Sequence, residues 1–398
     1  MKPFALLALS LAAFAAPAFG ATDIGTIKLH GDSRTIPVRV WGSTAALNGL
    51  ANEAFSAHGR YSVVSSGYAY DIRFTQVGAA EVRVDVTRGV GGGRVLSQTV
   101  SGDSARNALL RAGDLAVERT NGLGLKGFFT ARIAFISERT GHPEVYTSDL
   151  FFGGIRQITT DRAIALEPRW SPDGTKIIYT SYYHSGFPDI FLMDLASDTR
   201  TTFASYRGTN FGAHFSPDGG RVAMVLSADG NSEIYVSNAQ GRAMSRKTRF
   251  ESVKASPCWS PDGSRIVFES GQGANPQLYL MSAAGGTPTR LTHGLSSYCA
   301  EPDWSRANPN KIAFTYRAGD GHYQIAVYDF AKGQAEGVSK APFDGLNPSW
   351  LPDGRHLVYA ARSAATSVLC ILDTETGQSQ RISPPSFGSC KEANVWSR

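Results

Sequence analysis

Four aspartates stand in the same short phrase, Pro-Asp-Gly, and are the first candidates for metal chemistry in this chain. They are Asp173, Asp218, Asp262 and Asp353. Carboxylates on turns are common calcium ligands. Their recurrence within Pro-Asp-Gly also explains them as turn formers, because Pro presets φ and Gly accepts a positive φ. The second interpretation is the simpler one, so the sequence predicts no metal and no other cofactor.

Three histidines fall at comparable points between successive strand-like runs, namely His142, His184 and His322. Three imidazoles on one rim could ligate a metal, but surface turn residues are the favoured interpretation. The chain also lacks the phrases Gly-x-Ser-x-Gly, His-Glu-x-x-His, Gly-x-x-x-x-Gly-Lys-Ser/Thr and Cys-x-x-Cys. The sequence therefore predicts no catalytic residues.

The aspartates belong to a longer repeat that organises most of the chain. An aromatic residue precedes Ser or Leu and then Pro-Asp-Gly in four of the units, and aromatic-Ser alone recurs in the other two. Consecutive aromatics lie 44 to 46 residues apart, at Trp170, Phe215, Trp259, Trp304, Trp350 and Trp396. A fixed period of this size is typical of four-stranded propeller blades.

Each repeat has the same internal order of strands and turns. The aromatic phrase ends one strand and turns, and a Lys/Arg-led apolar strand follows, as in Lys176–Tyr179. A third strand such as Asp189–Asp194 and a weaker fourth strand complete the unit. The predicted fold is mainly β, a six-bladed β-propeller preceded by a small α+β domain.

The two ends of the array predict how the ring closes. Arg132–Ile136 and Glu144–Tyr146 match the second and third strands of a blade, but no aromatic phrase precedes them. Conversely, the aromatic phrase at Trp396 ends a first strand, and no second or third strand follows it in the sequence. We therefore expect a strand near Ala393–Ser397 to pair with the blade begun at Arg132, which removes exposed sheet edges.

The start of the chain reads as an export signal. Lys2 precedes the apolar run Phe4–Phe14, which is too short to span a membrane, and Ala18 with Gly20 fits the small-residue cleavage rule. Residues 1–20 are therefore predicted to be a signal peptide. No Cys stands directly after the cleavage point, so a lipid anchor is not expected. No later apolar run is long enough to span a membrane, so a soluble, exported protein is expected.

Residues 21–126 do not follow the repeat, and residues 127–398 form the predicted propeller. Ala45–Phe55 and a segment from Asp103 to Arg119 read as helices. Between them lie three strand-like runs, and the last two predict an antiparallel pair joined at Gly89–Gly93. The strand-like runs are Asp71–Val77, Glu81–Val86 and Arg94–Val100.

Composition narrows the choice of partners. The net charge of +5 is mild and no basic run occurs, so nucleic acid is not an expected partner. Four cysteines in an exported chain permit disulfides in three connectivities. Cys258 and Cys299 precede the aromatics of neighbouring repeats and are one candidate pair; buried free thiols are the alternative.

The segment Gly124–Phe135, between the α+β region and the first blade, resembles the domain junction of the TolB family. These are periplasmic propeller proteins of the bacterial Tol–Pal system. The resemblance covers nearly the whole mature chain, from export signal to blades. It implies a periplasmic, non-enzymatic and monomeric binding hub that helps to hold the outer membrane to the cell wall and supports its constriction at division. Its implied partners are a peptidoglycan-associated lipoprotein and a TolA-like inner-membrane protein, without direct membrane insertion.

The resemblance also implies where these partners bind. The TolA-like protein would engage the mature N-terminal segment, about Thr22–Val40; an edge strand of the small domain is the alternative. The residues of interest there are Asp32, Arg34, Ile36 and Val38. The lipoprotein would dock on the propeller face formed by the loops that lead into the aromatic phrases. The residues expected on that face are Glu167, Thr209, Asn210, Gly212, His214, Lys254, Ala255, Ser256, Glu301, Asn347 and Asn394.

Two other functions stay open on the sequence. One is a propeller enzyme such as a carbohydrate lyase, which would need His, Arg and acidic residues to converge at the channel mouth. The other is a TolB paralogue with a different envelope partner, which the fold alone cannot separate from the first hypothesis.

Overall fold

The computed structural model describes residues 35–273 and 275–397. The predicted signal peptide, its cleavage point, Asp32 and Arg34 lie outside the described residues. Within them, the chain folds as an α+β domain followed by six four-stranded sheets.

The α+β domain is a five-stranded sheet with two helices. Its elements are β1 (Ile36–Gly42), α1 (Ala45–Ala57), β2 (Tyr61–Val63), β3 (Tyr70–Gly78), β4 (Glu81–Arg88), β5 (Arg94–Ser101) and α2 (Ala105–Thr120). The strand order is β2-β1-β3-β4-β5. β1 runs parallel to β2 and β3, and the other neighbours are antiparallel. The predicted helices and the β4–β5 pair are confirmed.

Both helices begin where a side chain caps the free backbone amides of the first turn. The Thr44 hydroxyl accepts a hydrogen bond from the Leu47 amide, and Ser104 does the same for Asn107. The strands below alternate between a buried and an outward side: Val82 and Val84 are fully buried, whereas the residue between them is exposed. One face of the sheet therefore packs under the helices.

The described part of the N-terminal segment, from residue 35 onward, does not form the edge strand that the sequence left open as an alternative. Ile36 and Val38 lie in β1, which is an interior strand between β2 and β3 rather than an edge strand. Val38 is fully buried in the core. Ile36 is half-buried, and both residues belong to the folded domain.

The remaining strands form the blades, each running outward from the central channel. The first blade contains β6 (Arg132–Ser137), β7 (Glu144–Asp149) and β8 (Arg156–Gln157). The second to fourth blades are β9 (Ala165–Trp170), β10 (Lys176–Ser181), β11 (Asp189–Asp194) and β12 (Thr199–Ala204); β13 (Asn210–Phe215), β14 (Arg221–Leu226), β15 (Glu233–Asn238) and β16 (Ser245–Arg246); β17 (Lys254–Trp259), β18 (Arg265–Ser270), β19 (Gln277–Ser282) and β20 (Thr289–Arg290). The fifth and sixth are β21 (Cys299–Trp304), β22 (Lys311–Arg317), β23 (Tyr323–Asp329) and β24 (Gln334–Gly337); β25 (Asp344–Trp350), β26 (His356–Arg362), β27 (Ser367–Asp373) and β28 (Ser379–Arg381). Consecutive strands within each blade are antiparallel neighbours.

The last strand, β29 (Cys390–Trp396), closes the ring as the sequence predicts. It pairs antiparallel with β6, with Cys390 opposite Ser137 and Trp396 opposite Arg132. The Ser137 hydroxyl also donates a 2.6 Å hydrogen bond to the Phe387 carbonyl, just before this strand. The first and last described parts of the propeller therefore share one sheet.

The four cysteines are free thiols, and all four are buried. Of the two alternatives for Cys258 and Cys299, the structure has the unpaired one. Burial raises the pKa of Cys258 to about 12 and that of Cys299 to about 11. The thiols are therefore protonated core residues.

Candidate binding surface at the channel mouth

The innermost strand of every blade carries a bulge at the same level of the channel. Each of these six strands shifts register against its neighbour. One residue at each shift has φ between 48° and 67°, the left-handed region that favours glycine. These residues are Glu167, Gly212, Ser256, Glu301, Asn347 and Glu392. Five of the six are not glycine, so neighbouring contacts must hold the strained backbone in place.

Carboxylates of neighbouring strands supply several of those contacts, two of them from an adjacent blade. Glu392 accepts a 2.7 Å hydrogen bond from the Glu167 amide, and Glu301 accepts one of 2.8 Å from the Asn347 amide. Glu269 of β18 accepts from the Ser256 hydroxyl at 2.9 Å. Three of the six bulges are thus tied to another strand by a side chain, which restrains the backbone at the mouth of the channel.

The mouth is acidic. Glu167, Glu269, Glu301 and Glu392 line a cavity of about 190 Å³ together with one cation, Arg169. Burial, followed by repulsion from Glu392, raises the pKa of Glu167 to about 7. Burial and then repulsion from Glu301 raise the pKa of Glu269 to about 7. The charge of the mouth therefore changes around neutral pH.

Large apolar side chains are exposed around this mouth. They lie in lead-in loops or in the turn between β10 and β11, all at the same end of the second to fourth blades, and their exposed fractions run from 42 % to 67 %. They are Ile164, Tyr183, Phe187, Tyr206 and Val253. We call this set the apolar rim. Exposed apolar side chains that share one surface are typical of protein-binding sites.

Asn210 joins two loops of the apolar rim. Its side-chain amide donates to the Pro188 carbonyl at 3.2 Å and to the Tyr206 carbonyl at 2.8 Å. Its side-chain oxygen accepts from the Tyr206 amide at 2.8 Å. Asn210 is itself fully buried, so it positions the loops that carry Phe187 and Tyr206 and does not face solvent.

Most of the predicted lipoprotein-binding residues lie at this mouth, but in different roles. Glu167, Ala255, Ser256, Glu301 and Asn347 line the acidic cavity. Gly212 occupies a bulge, and the amide of Thr209 in the lead-in loop donates to the hydroxyl of Ser227, which follows β14. Lys254 is fully buried and paired with Glu233 at 3.1 Å. As placed, Asn210 and Lys254 cannot offer their side chains to a partner.

His214 and Asn394 are not on the predicted face. Both line a cavity of about 610 Å³ at the other end of the channel, beneath α2. Asn394 accepts a hydrogen bond from the Trp170 amide at 2.9 Å. Asn394 lies two residues after Glu392, and Glu392 occupies the bulge position of β29 that Glu167 occupies in β9, so Glu392 is the true counterpart of Glu167. Burial, then Arg169 and Arg306, lowers the pKa of His214 to about 3.

Sequence reasoning missed Glu269, Glu392 and the apolar rim. Glu269 had a usable signal, because it stands in a strand position that is Thr180 in the second blade and Val225 in the third. The apolar rim had none, because its residues lie in turns that differ from one repeat to the next.

Three of the four candidate aspartates of the sequence lie in turns that share one hydrogen bond. Asp173, Asp218 and Asp262 each accept a 2.5 Å hydrogen bond from the Ser of the same phrase, which confirms them as turn formers. His142 and His184 are exposed. In the described part of the chain, the three turn histidines form no group with the spacing of metal ligands.

The fold and this mouth define a class of protein: a closed six-bladed β-propeller preceded by an α+β domain, with one channel end open to solvent. Comparison with known families agrees, because the model of the TolB beta propeller domain matches residues 121–398. The match covers more than half of the chain, so the chain belongs to the TolB propeller family.

Individual relatives support the assignment. The Tol-Pal system protein TolB of Anaeromyxobacter dehalogenans is 32 % identical over 133 residues, covering 33 % of this chain and 30 % of the relative. That of Desulfosudis oleivorans is 36 % identical over 126 residues, covering 32 % and 28 %. The match therefore spans less than a third of these relatives' length.

A solved structure extends the likeness in fold to nearly the whole chain. TolB from Acinetobacter baumannii superposes with a TM-score of 0.79 at 23 % identity, covering 94 % of this chain and all of that one. Among residues 35–273 and 275–397, no helix is long and apolar enough to cross a lipid bilayer.

Proposed function

We propose that this protein is a periplasmic, non-enzymatic interaction hub of the Tol–Pal system. Family membership and the names of the relatives, Tol-Pal system protein TolB, support this. In this proposal residues 1–20 are a signal peptide, residues 21–126 an α+β domain and residues 127–398 a propeller. The protein acts as a monomer that helps to maintain the outer membrane and supports constriction at division.

The open channel mouth is the proposed docking site for a peptidoglycan-associated lipoprotein. The observation that carries this proposal is the apolar rim, held by Asn210 beside a rigid acidic centre. Exposed aromatic residues are the usual anchors of protein interfaces. A preformed surface also loses little conformational freedom on binding, which favours affinity.

The residues before Ile36 are the proposed site for a TolA-like inner-membrane protein. They lead directly into β1, an interior strand of the sheet, so a pull on this segment is carried into the core of the domain. Deleting residues 22–33 from the mature protein should abolish binding of the TolA-like protein in a calorimetric titration and should leave binding of the lipoprotein measurable.

The lipoprotein proposal is tested by titrating the mature protein with the peptidoglycan-binding domain of the lipoprotein from the same organism. We expect the double variant Phe187→Ala/Tyr206→Ala to bind at least about 30-fold more weakly, because each side chain is an exposed anchor. Ile155→Ala is the matched control, since Ile155 is an exposed apolar residue in a turn at the other end of its blade. Equal affinity of wild type and double variant would contradict the proposed site.

The same surface also distinguishes the proposed function from its two alternatives, a lyase and a paralogue with another partner. A lyase would need histidine among the converging groups, and the residues lining the acidic cavity include Arg169 and glutamates but no histidine. A paralogue would fail to bind this lipoprotein, yet would capture another envelope protein in a pull-down that depends on Phe187 and Tyr206.

A further inference from the structure

The turn that opens the second strand of the sixth blade departs from the repeat. Its phrase reads Trp350-Leu-Pro-Asp-Gly, so Leu351 replaces the Ser that bonds the aspartate in the other Pro-Asp-Gly turns. Asp353 instead pairs with His356, whose Nδ1 lies 2.5 Å from the Asp353 carboxylate. Both side chains are fully buried.

The α+β domain covers this turn. His58 follows the end of α1, and its ring packs edge-on against the His356 ring at a centroid distance of 4.5 Å. The Gly59 amide donates to His356 Nε2 at 3.2 Å. Phe128 packs against both imidazoles. Residues from two domains thus meet in one buried polar cluster.

The two carboxylates of this cluster are not both paired with a permanent cation. Arg355 forms a two-point ion pair with Asp373, at 2.9 Å and 2.6 Å. Among residues 35–273 and 275–397, Asp353 has no Arg or Lys within ion-pair distance, and its partner is an imidazole. A buried carboxylate without a countercharge is costly. In addition, His58 Nε2 is buried and has no hydrogen-bond partner.

We propose that His58, Asp353 and His356 form a binding site for a divalent transition metal of the zinc type. One nitrogen of each imidazole and one carboxylate oxygen lie within 4.8 Å of one another. Tetrahedral zinc holds such ligands about 3.3 Å apart, so small shifts would suffice. Asp373 is adjacent, with its carboxylate 3.7 Å from His356 Nε2. The donor set of imidazoles and carboxylates suits zinc or cobalt.

The bound metal would supply the missing positive charge and tie the α+β domain to the sixth blade. His58 comes from one domain, and Asp353 and His356 come from the other. A metal that binds only the folded, docked arrangement stabilises that arrangement in proportion to its affinity. The site is therefore structural, buried and far from the open mouth.

The first test uses the untagged wild-type protein after dialysis against a chelator. Titration with Co²⁺ should give the visible absorption of a low-symmetry site with nitrogen and oxygen ligands, saturating at about one equivalent per chain. Zn²⁺ should bleach this signal and raise Tm by several degrees. Absence of the absorption together with a Tm indifferent to Zn²⁺ would overturn the proposal.

Variants then locate the site. His58→Gln and His356→Gln should each lower metal binding at least about 10-fold, because each removes one ligand. His184→Gln is the matched control, since His184 is an exposed turn residue and should keep wild-type binding. Should either ligand variant fold poorly, the wild-type cobalt spectrum still decides. Equal loss in the control variant would place the metal elsewhere and would also overturn the proposal.

Discussion

The two ends of the propeller channel are built by the same strands but are completed in opposite ways. At the open end, bulges turn carboxylates toward the channel and aromatic loops toward solvent. At the other end, the Pro-Asp-Gly turn of the sixth blade lies against the α+β domain, where Phe128 and His58 are buried. The repeat supplies one frame, and the residues at its turns decide whether an end is covered permanently or left free to bind.

The difference shows which positions of a repeat can change without loss of the fold. His356 begins the second strand of its blade, where other blades have Lys176, Arg221 or Arg265. In those blades this basic residue is at the surface, and in the sixth blade the position is buried under the neighbouring domain. One changed turn is therefore enough to convert a solvated rim into a domain contact.

The largest expected effect concerns the covered end. Phe128→Ala should lower the free energy of unfolding by about 3–5 kcal/mol, because a fully buried ring that touches His58, Phe129 and His356 leaves a cavity. Urea unfolding measures this, with Leu123→Ala as an exposed control that should change little. A cost below about 1 kcal/mol would show that the two domains are only loosely packed.

The contribution of the open end to the stability of the fold should depend on pH. Glu167 and Glu269 have folded pKa values of about 7, above the ordinary 4.5. The stability that comes from their protonated forms is complete below pH 4.5 and is lost as the pH rises through 7. Thermal unfolding at pH 5 and pH 8 should show wild type losing about 2–3 kcal/mol more than Glu167→Gln, which removes one of the two groups. Parallel losses would mean that Glu167 does not titrate in this range.

The smallest effect tests the ordinary turns. Ser216 is fully buried; its hydroxyl donates to Asp218 at 2.5 Å and accepts from the Arg221 amide at 2.9 Å. Ser216→Ala should cost about 1 kcal/mol in urea unfolding, the net worth of such a contact. The equivalent change Ser260→Ala should match it, because its contacts are the same. Unequal costs would show that the blades are less alike than their turns suggest.

The period and the apolar strands were enough to predict the blades, the closing strand and the small domain, because these depend on regular alternation and turn residues. The level of the channel mouth was harder to place. A bulge inserts a residue without changing composition, so the sequence did not show that Glu392, rather than Asn394, lies at the mouth.

The burial of several residues also shows that residue type alone does not give a residue's role. Asn210 and Lys254 have the polarity of contact residues, but both are buried and hold loops in place. Phe187 has the type of a core residue and is 67 % exposed. A single sequence does not reveal which side of a turn faces solvent. Such reversals therefore became visible only with the tertiary structure.

The pairing of β29 with β6 has a consequence for how the protein is made. These strands are about 250 residues apart in the chain, so the first blade keeps an unpaired inner edge until nearly all of the polypeptide has emerged. During synthesis that edge is a template for pairing with other chains. Chaperone demand and proteolysis should therefore be greatest for nascent chains that stop short of Cys390, and completion of the ring is a natural point of quality control.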